Sequence, residues 1–323
     1  MIPLARYCLI SLLLPWPVFA AEAEATAALS LGYRLDALDW SIDGAGNPVG
    51  SEPNILSELE WRDTEIVQLK AELVGTNRAG FYFRGSAALG RSFDGENQDS
   101  DYAGDNRTLE FSRSLNDTNG SEVLDLGGGL GYTFFLGVDQ AIRLVPMVGY
   151  SYHQQRLRMR NGNQVLWDAD NAAIYDPGIV SGPPLGPFAG LDSSYEAHWF
   201  GPWLGVDLRM DLAGGSAVFA RVEAHQATYF AQADWNLRDD FAHPVSFEHE
   251  ADGRGWVLEL GWQALPSRYQ WTWGVTLSLQ DWTTNSGTDR TFFADNTFSE
   301  GRLNGANWSS RSLSIGLNKA FEN

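Results

Sequence analysis

Cysteine is nearly absent from this 323-residue chain, acidic residues outnumber basic ones 41 to 22, and no long apolar run follows the first two dozen residues. Each shortage excludes something. With Cys8 alone the chain has no internal disulfide and no cysteine-type metal site. A net charge of −19 opposes nucleic-acid binding, because phosphates repel such a surface. A bundle of membrane helices would need about 20 apolar residues per span, and a mean hydropathy of −0.25 reflects their absence. A transmembrane β-barrel passes the same test, since its strands carry only alternating hydrophobicity. What is present is 34 glycines, 13 tryptophans and 44% apolar residues, enough for a sizeable folded core.

Residues 1 to 20 read as a secretory signal peptide: Arg6 is the basic start, Leu9 to Val18 the apolar stretch, and Val18-Phe19-Ala20 the small-residue cleavage site. Cleavage after Ala20 or Ala21 removes both Cys8 and Arg6, which takes the net charge to −20 and leaves no thiol. Nothing in composition divides residues 21–323, which are expected to form one barrel domain.

Period two dominates that domain. Leu29, Leu31, Tyr33 and Leu35 alternate with small or polar residues, as do Leu204, Val206, Leu208 and Met210, and Trp271, Trp273, Val275, Leu277 and Leu279. The opposite faces carry Lys70 and Glu72, Asp207 and Arg209, Arg221, Glu223 and His225, and Glu259. In a membrane barrel the apolar face meets lipid and the charged face fills the lumen. Four short connections, near 75–80, 136–140, 212–216 and 265–270, alternate with five longer polar segments, Asp43 to Asn54, Asp94 to Asn119, Asn161 to Ser193, Leu237 to Ser246 and Asn285 to Arg302. Nine connections make ten strands: an all-β, transmembrane, antiparallel up-and-down β-barrel, with long loops outside the cell and both termini in the periplasm. Ten strands enclose a lumen narrow enough for these charges to plug, which opposes a general-diffusion pore.

Three groups of residues are candidates for function. Arg156, Arg158 and Arg160 continue the lipid phase of Val148, Tyr150 and Tyr152 past the aromatic girdle, and Arg254 stands two residues beyond Trp256. Guanidinium forks there suit lipid phosphate, such as that of lipopolysaccharide. Asp99 and Asp101, at i and i+2, share a face and repel, so one can become a base able to activate water. His243 is the candidate partner, with Asp240 three residues before it as the carboxylate that would orient the ring if the backbone turns there. His225 beside Glu223 reads as a structural ion pair. No serine triad, phosphate loop or EF-hand calcium loop is legible, so no metal or cofactor is expected beyond bound lipid.

Asp99-Ser100-Asp101-Tyr102, preceded by Gly95-Glu96-Asn97, resembles the second-loop motif of the omptin outer-membrane proteases. Glu58-Leu59-Glu60-Trp61, Gly149-Tyr150 and Trp203-Leu204-Gly205 add weaker likeness along nearly the whole mature chain. The resemblance implies a ten-stranded barrel, a water activated between Asp99, Asp101 and His243, peptide substrates at the cell surface, and a requirement for lipopolysaccharide. Omptins pair their histidine with an aspartate two residues earlier; here that position is Phe241. The chain also resembles the Protochlamydia-type outer-membrane proteins, through Asn97 to Tyr102, Glu110-Phe111-Ser112-Arg113-Ser114 and Asp234 to Pro244. That likeness implies a porin-like barrel passing small solutes, with the acidic motifs as loop structure. A surface-binding, adhesive barrel is the third reading.

Overall fold

Alternation of apolar and polar residues is realised in ten long antiparallel strands that close on themselves. The computed structural model describes residues 23–137, 140–179, 181–212, 215–264 and 271–321; the expected leader at 1–20 with Cys8, the expected short connection at 265–270, and residues 138–139 and 213–214 lie outside the described residues. The strands are β1 (Ala23–Ile42), β2 (Ser57–Asn77), β3 (Phe81–Gly104), β4 in two pieces (Thr108–Asp117 and Glu122–Tyr132), β5 (Ile142–Trp167), β6 (Asp192–Leu212), β7 (Ser216–Asp234), β8 (Phe247–Ala264), β9 in two pieces (Trp271–Thr284 and Gly287–Phe292) and β10 (Phe298–Phe321). Each pairs with the next, and β10 pairs back to β1 with Ile315 opposite Leu31, so the ring has no open edge. A short helix, α1 (Ala169–Tyr175), lies in the connection after β5, capped by the Asp168 carboxylate, which accepts from the backbone N–H groups of Asp170 and Asn171.

The molecule is apolar on the outside. Leu204 and Ile315 are 67% and 64% exposed, which is stable only where lipid replaces water. Aromatic pairs bound this band: Phe81 with Tyr132 and Trp262 with Trp273 toward the short turns, and Tyr33 with Phe93 at the other side. A membrane strand needs about 9–11 residues, yet β3 and β10 have 24 each. The surplus projects beyond the bilayer at the loop end.

Inside, two layers follow one another. Within the membrane the expected lumen charges meet across the barrel. Arg221 Nη1 donates to Glu72 at 2.6 Å and to Glu259 at 2.9 Å, Lys70 pairs with Glu259, Arg84 pairs with Glu223 and lies 3.2 Å from Asp207, and Arg34 joins Asp36 to Asp125 at 2.7 and 2.5 Å. The facing wall is small and neutral, including Gly274, Thr276, Ser278, Ser312 and Ser314, which leaves a cavity of 160 Å³. Toward the loop end the interior becomes an aromatic layer. Trp40 and Trp61 both stack on Tyr195, at 5.6 and 5.4 Å, and Trp282 stacks on Trp308 at 5.6 Å, all of them buried. These rings close the barrel toward the loop end, and the ion pairs narrow it within the membrane.

The structure corrects the lengths of the loops. The segment Asp94 to Asn119 is mostly β-hairpin, turning only at Asp105–Arg107, and Asn285 to Arg302 is mostly strand. Above the bilayer both faces of a strand are polar or the inner one is apolar, so the lipid pattern stops while the ladder continues. A belt of irregularities marks that boundary: Asp63 and Gly95 with φ of 48° and 137°, the break in β4 between Asp117 and Glu122, and Asn161 with φ 52°. Across it the inward phase changes, from Thr64 and Ile66 to Leu59 and Trp61 on β2, and from Ala88 and Ser92 to Asn97 on β3. Gly95 is required there, because a Cβ would lie 2.8 Å from the Thr64 Cα as well as carrying the positive φ.

Candidate functional site

The re-aimed part of β3 brings Asp99 and Asp101 into the mouth of the barrel at the loop end. In the ladder Asp99 stands opposite Leu59 and Asp101 opposite Ser57, and Leu59 belongs to the buried core, so both carboxylates sit at the edge of the aromatic layer. Both are partly buried. Burial, then the charge of Asp101, holds the Asp99 carboxyl well above its ordinary range, while Arg238 opposes the rise. Burial pushes Asp101 up to about 6, against a hydrogen bond from Ser57 and the charge of Arg238. Two neighbouring carboxyls in this state share protons rather than ionise together.

From the connection 235–246 the charge of Arg238 reaches the pair, whereas His243 makes no contact with Asp99 or Asp101 among the described residues. A turn in which Arg238 N–H donates to Trp235 C=O at 2.9 Å, and Phe241 N–H to Arg238 C=O at 2.9 Å, folds residue 243 back over the end of β7. His243 Nδ1 therefore donates to Asp234 Oδ1 at 2.6 Å. That hydrogen bond, then the charge of Asp234, raises the pKa of His243. Asp240 is not its partner. Asp240 accepts a bidentate pair from Arg238 at 2.9 and 2.8 Å, and that contact holds its carboxyl below the usual range. The Asp234 to His243 spacing of nine residues carries no sequence signal, because it exists only once the loop has turned.

Arg238 is the cation whose charge reaches both Asp99 and Asp101, and its guanidinium lies over the Phe241 ring at 4.1 Å. Tyr175, at the end of α1, borders Asp101; burial first, then the Asp101 charge, raises its pKa. It stacks on Phe111 at 5.9 Å. The sequence reading missed Asp234, Arg238 and Tyr175. Arg238 and Asp234 lie in the stretch from Asp234 to Pro244, but only the tertiary fold assigns their partners. Among the described residues no cluster of three or more acidic, histidine or cysteine side chains is arranged to hold a metal.

The arginines face outward, as their phase requires, but three have carboxylate partners on the next strand. Arg156 Nε bonds Glu196 at 2.9 Å, and Arg158 and Arg160 lie 3.6 and 2.8 Å from Asp192. Arg254 is exposed and its side chain makes no hydrogen bond or ion pair among the described residues. His249 is buried inside the aromatic layer, bonded to the Tyr195 hydroxyl at 2.8 Å and facing Asp289 at 3.2 Å, and so belongs to the core.

A family model described as Protochlamydia outer membrane protein matches residues 28–321. No curated protein matches. Among solved structures, the outer membrane protease OmpT from Escherichia coli is similar at a TM-score of 0.66 and 14% identity, covering 92% of this chain and 97% of that one. The outer membrane protein OprG from Pseudomonas aeruginosa gives 0.34 at 10% identity, covering 94% and 97%. At these identities the first likeness concerns the fold, and the second carries no weight.

Proposed function

The chain belongs to the Protochlamydia outer membrane protein family; from its loop-end carboxyl pair, rather than from the porin-like role which that likeness implies, we propose that it is a closed outer-membrane barrel whose working part is its loop end, facing the cell exterior and hydrolysing peptide bonds. The observation that carries this reading is the pair Asp99 and Asp101, desolvated at the rim of the aromatic layer with the raised pKa values given above. Near neutral pH such a pair takes a proton from water as general base. His243, held by Asp234 and inclined to stay protonated, is the acid that gives a proton to the leaving nitrogen. Placing acid and base in environments that shift their pKa values is how one site runs both steps. Arg238 moderates the cost of ionising the pair.

The same reading assigns the outward arginines to lipid. Arg254, without a protein partner, and Arg156, Arg158 and Arg160, just beyond the girdle, would contact the phosphates of lipopolysaccharide. The buried aromatic layer speaks against the porin-like alternative, since its stacked rings close the path a solute would need to take through to the loop end.

The test is cleavage of a peptide library by refolded protein in lipopolysaccharide-containing micelles. We expect cleavage that falls about 10²–10⁴-fold in Asp99→Asn and in Asp234→Asn, with a smaller loss in Asp240→Asn. No cleavage by the folded protein overturns the hydrolytic reading. Peptide or surface binding without cleavage would instead support the adhesive barrel, and steady conductance in planar bilayers the porin.

A further inference from the structure

We propose that Ser151, His225 and Glu223 form a second site inside the barrel, a serine nucleophile that takes the acyl group of small neutral esters. Ser151 on β5 and His225 on β7 meet across β6, where the residue opposite Ser151 is Gly201, with no side chain to separate them. His225 Nε2 lies 3.0 Å from Glu223 Oε2, so that nitrogen carries the proton and Nδ1 is left as acceptor; the Ser151 hydroxyl donates to it at 3.1 Å. Glu223 is in turn pinned by Arg84. The order of serine, imidazole and carboxylate is that of a nucleophile, its base and the group that orients the base. Neither the sequence spacing nor strand adjacency could show it.

Access is the second observation. Ser151 lines the 160 Å³ lumen cavity, which shares Ala28, Glu72, Phe219, Arg221, Gln263 and Asn318 with a 300 Å³ space nearer the short turns. Ser151 and Glu223 line the cavity and His225 does not, so a small ester held in it would meet the serine side of the pair. His153, also on the cavity wall, bonds Asp125 through Nδ1 at 2.8 Å and leaves a buried Nε2 with no partner among the described residues. Such an atom is normally satisfied by water or ligand.

The reaction balances with these groups alone. Ser151 Oγ bonds to the acyl carbon as its proton passes to His225; the ester C–O bond breaks and the alcohol leaves with that proton. Water then attacks the acyl-serine, again losing its proton to His225, and the acid departs as the proton returns to Ser151. Ser151 and His225 are the catalytic residues and Glu223 a positioning residue. This inference is independent of the loop-end cleft.

The probe is a short-chain alkyl fluorophosphonate, which forms a P–O bond to an activated serine and expels fluoride. Full-length folded protein in micelles is expected to be labelled at Ser151, located by mass spectrometry, and not at all in Ser151→Ala. In His225→Gln and Glu223→Gln the maximal labelling rate should fall about a hundredfold while the concentration for half-maximal labelling stays unchanged. Each variant is first shown to be folded by the near-ultraviolet circular dichroism of its tryptophans. No label on folded wild type, label that persists in Ser151→Ala, or equal rates in His225→Gln would each overturn the proposal.

Discussion

Replacing Asp101 by asparagine should stabilise this protein above neutral pH and leave it unchanged in acid. An aspartate in the unfolded chain titrates near 3.8, whereas in the fold burial pushes Asp101 up to about 6. The protonated form therefore fits the fold better: its stability is fully present below pH 3.8 and is lost as pH rises through about 6. A gap of about two pH units, at ~1.4 kcal/mol each, gives ~3 kcal/mol. The side chain keeps some access to water, which brings the expected effect nearer ~2 kcal/mol. Asparagine has no charge to bury, so Asp101→Asn should gain that ~2 kcal/mol at pH 8. At pH 3, where both side chains are neutral, it should gain nothing. Removing the charge also relieves Asp99, whose remaining upward push is burial. Urea unfolding of refolded protein in micelles, followed by tryptophan fluorescence at the two pH values, reads the difference directly. An equal gain at both pH values, or a loss at pH 8, would show that the carboxyl is not desolvated and would remove the base from the proposed chemistry.

Arg221→Met leaves Glu72 and Glu259 with a lost partner inside the membrane, and should cost about 3 kcal/mol or more in the same unfolding assay. Gly149→Ala places a Cβ 2.3 Å from the Trp203 ring; an overpacking cost of about 1–3 kcal/mol and a shift in tryptophan emission are expected. Planar bilayers containing wild-type protein should be silent, and the double variant Trp282→Ala with Trp308→Ala, which removes two stacked rings of the layer, should show conductance if that layer is the seal. Arg254→Ala should lower the lipopolysaccharide retained on purification more than Arg158→Ala does, because among the described residues Arg158 has a carboxylate partner and Arg254 has none.

The barrel was legible because lipid imposes a rule that each residue obeys separately: outward positions such as Leu29, Leu204 and Ile315 must be apolar, so the period survives in the sequence whatever the partners are. The same rule put Lys70, Glu72, Arg221 and Glu259 in the lumen, and Arg156 to Arg160 on the outer face. It failed where lipid ends. Beyond Asp63, Gly95 and Asn161 the strands go on without the pattern and change phase, so the hairpin carrying Asp99 and Asp101 read as a loop. Omptin-like motifs located that pair, but no spacing rule could show that Arg238 would face it.

What the sequence determined by itself was therefore everything fixed by contact with solvent: an outer-membrane barrel of ten strands, which face of each strand meets lipid, and which charges are shut inside. Tertiary structure decided the pairings. His243 bonds Asp234 rather than Asp240, and Ser151 meets His225 across an intervening strand, because a loop turn and a missing side chain bring them together. Exposure to lipid or water acts on one residue at a time and leaves its mark along the chain, whereas a hydrogen bond between distant residues depends on where two separate segments end.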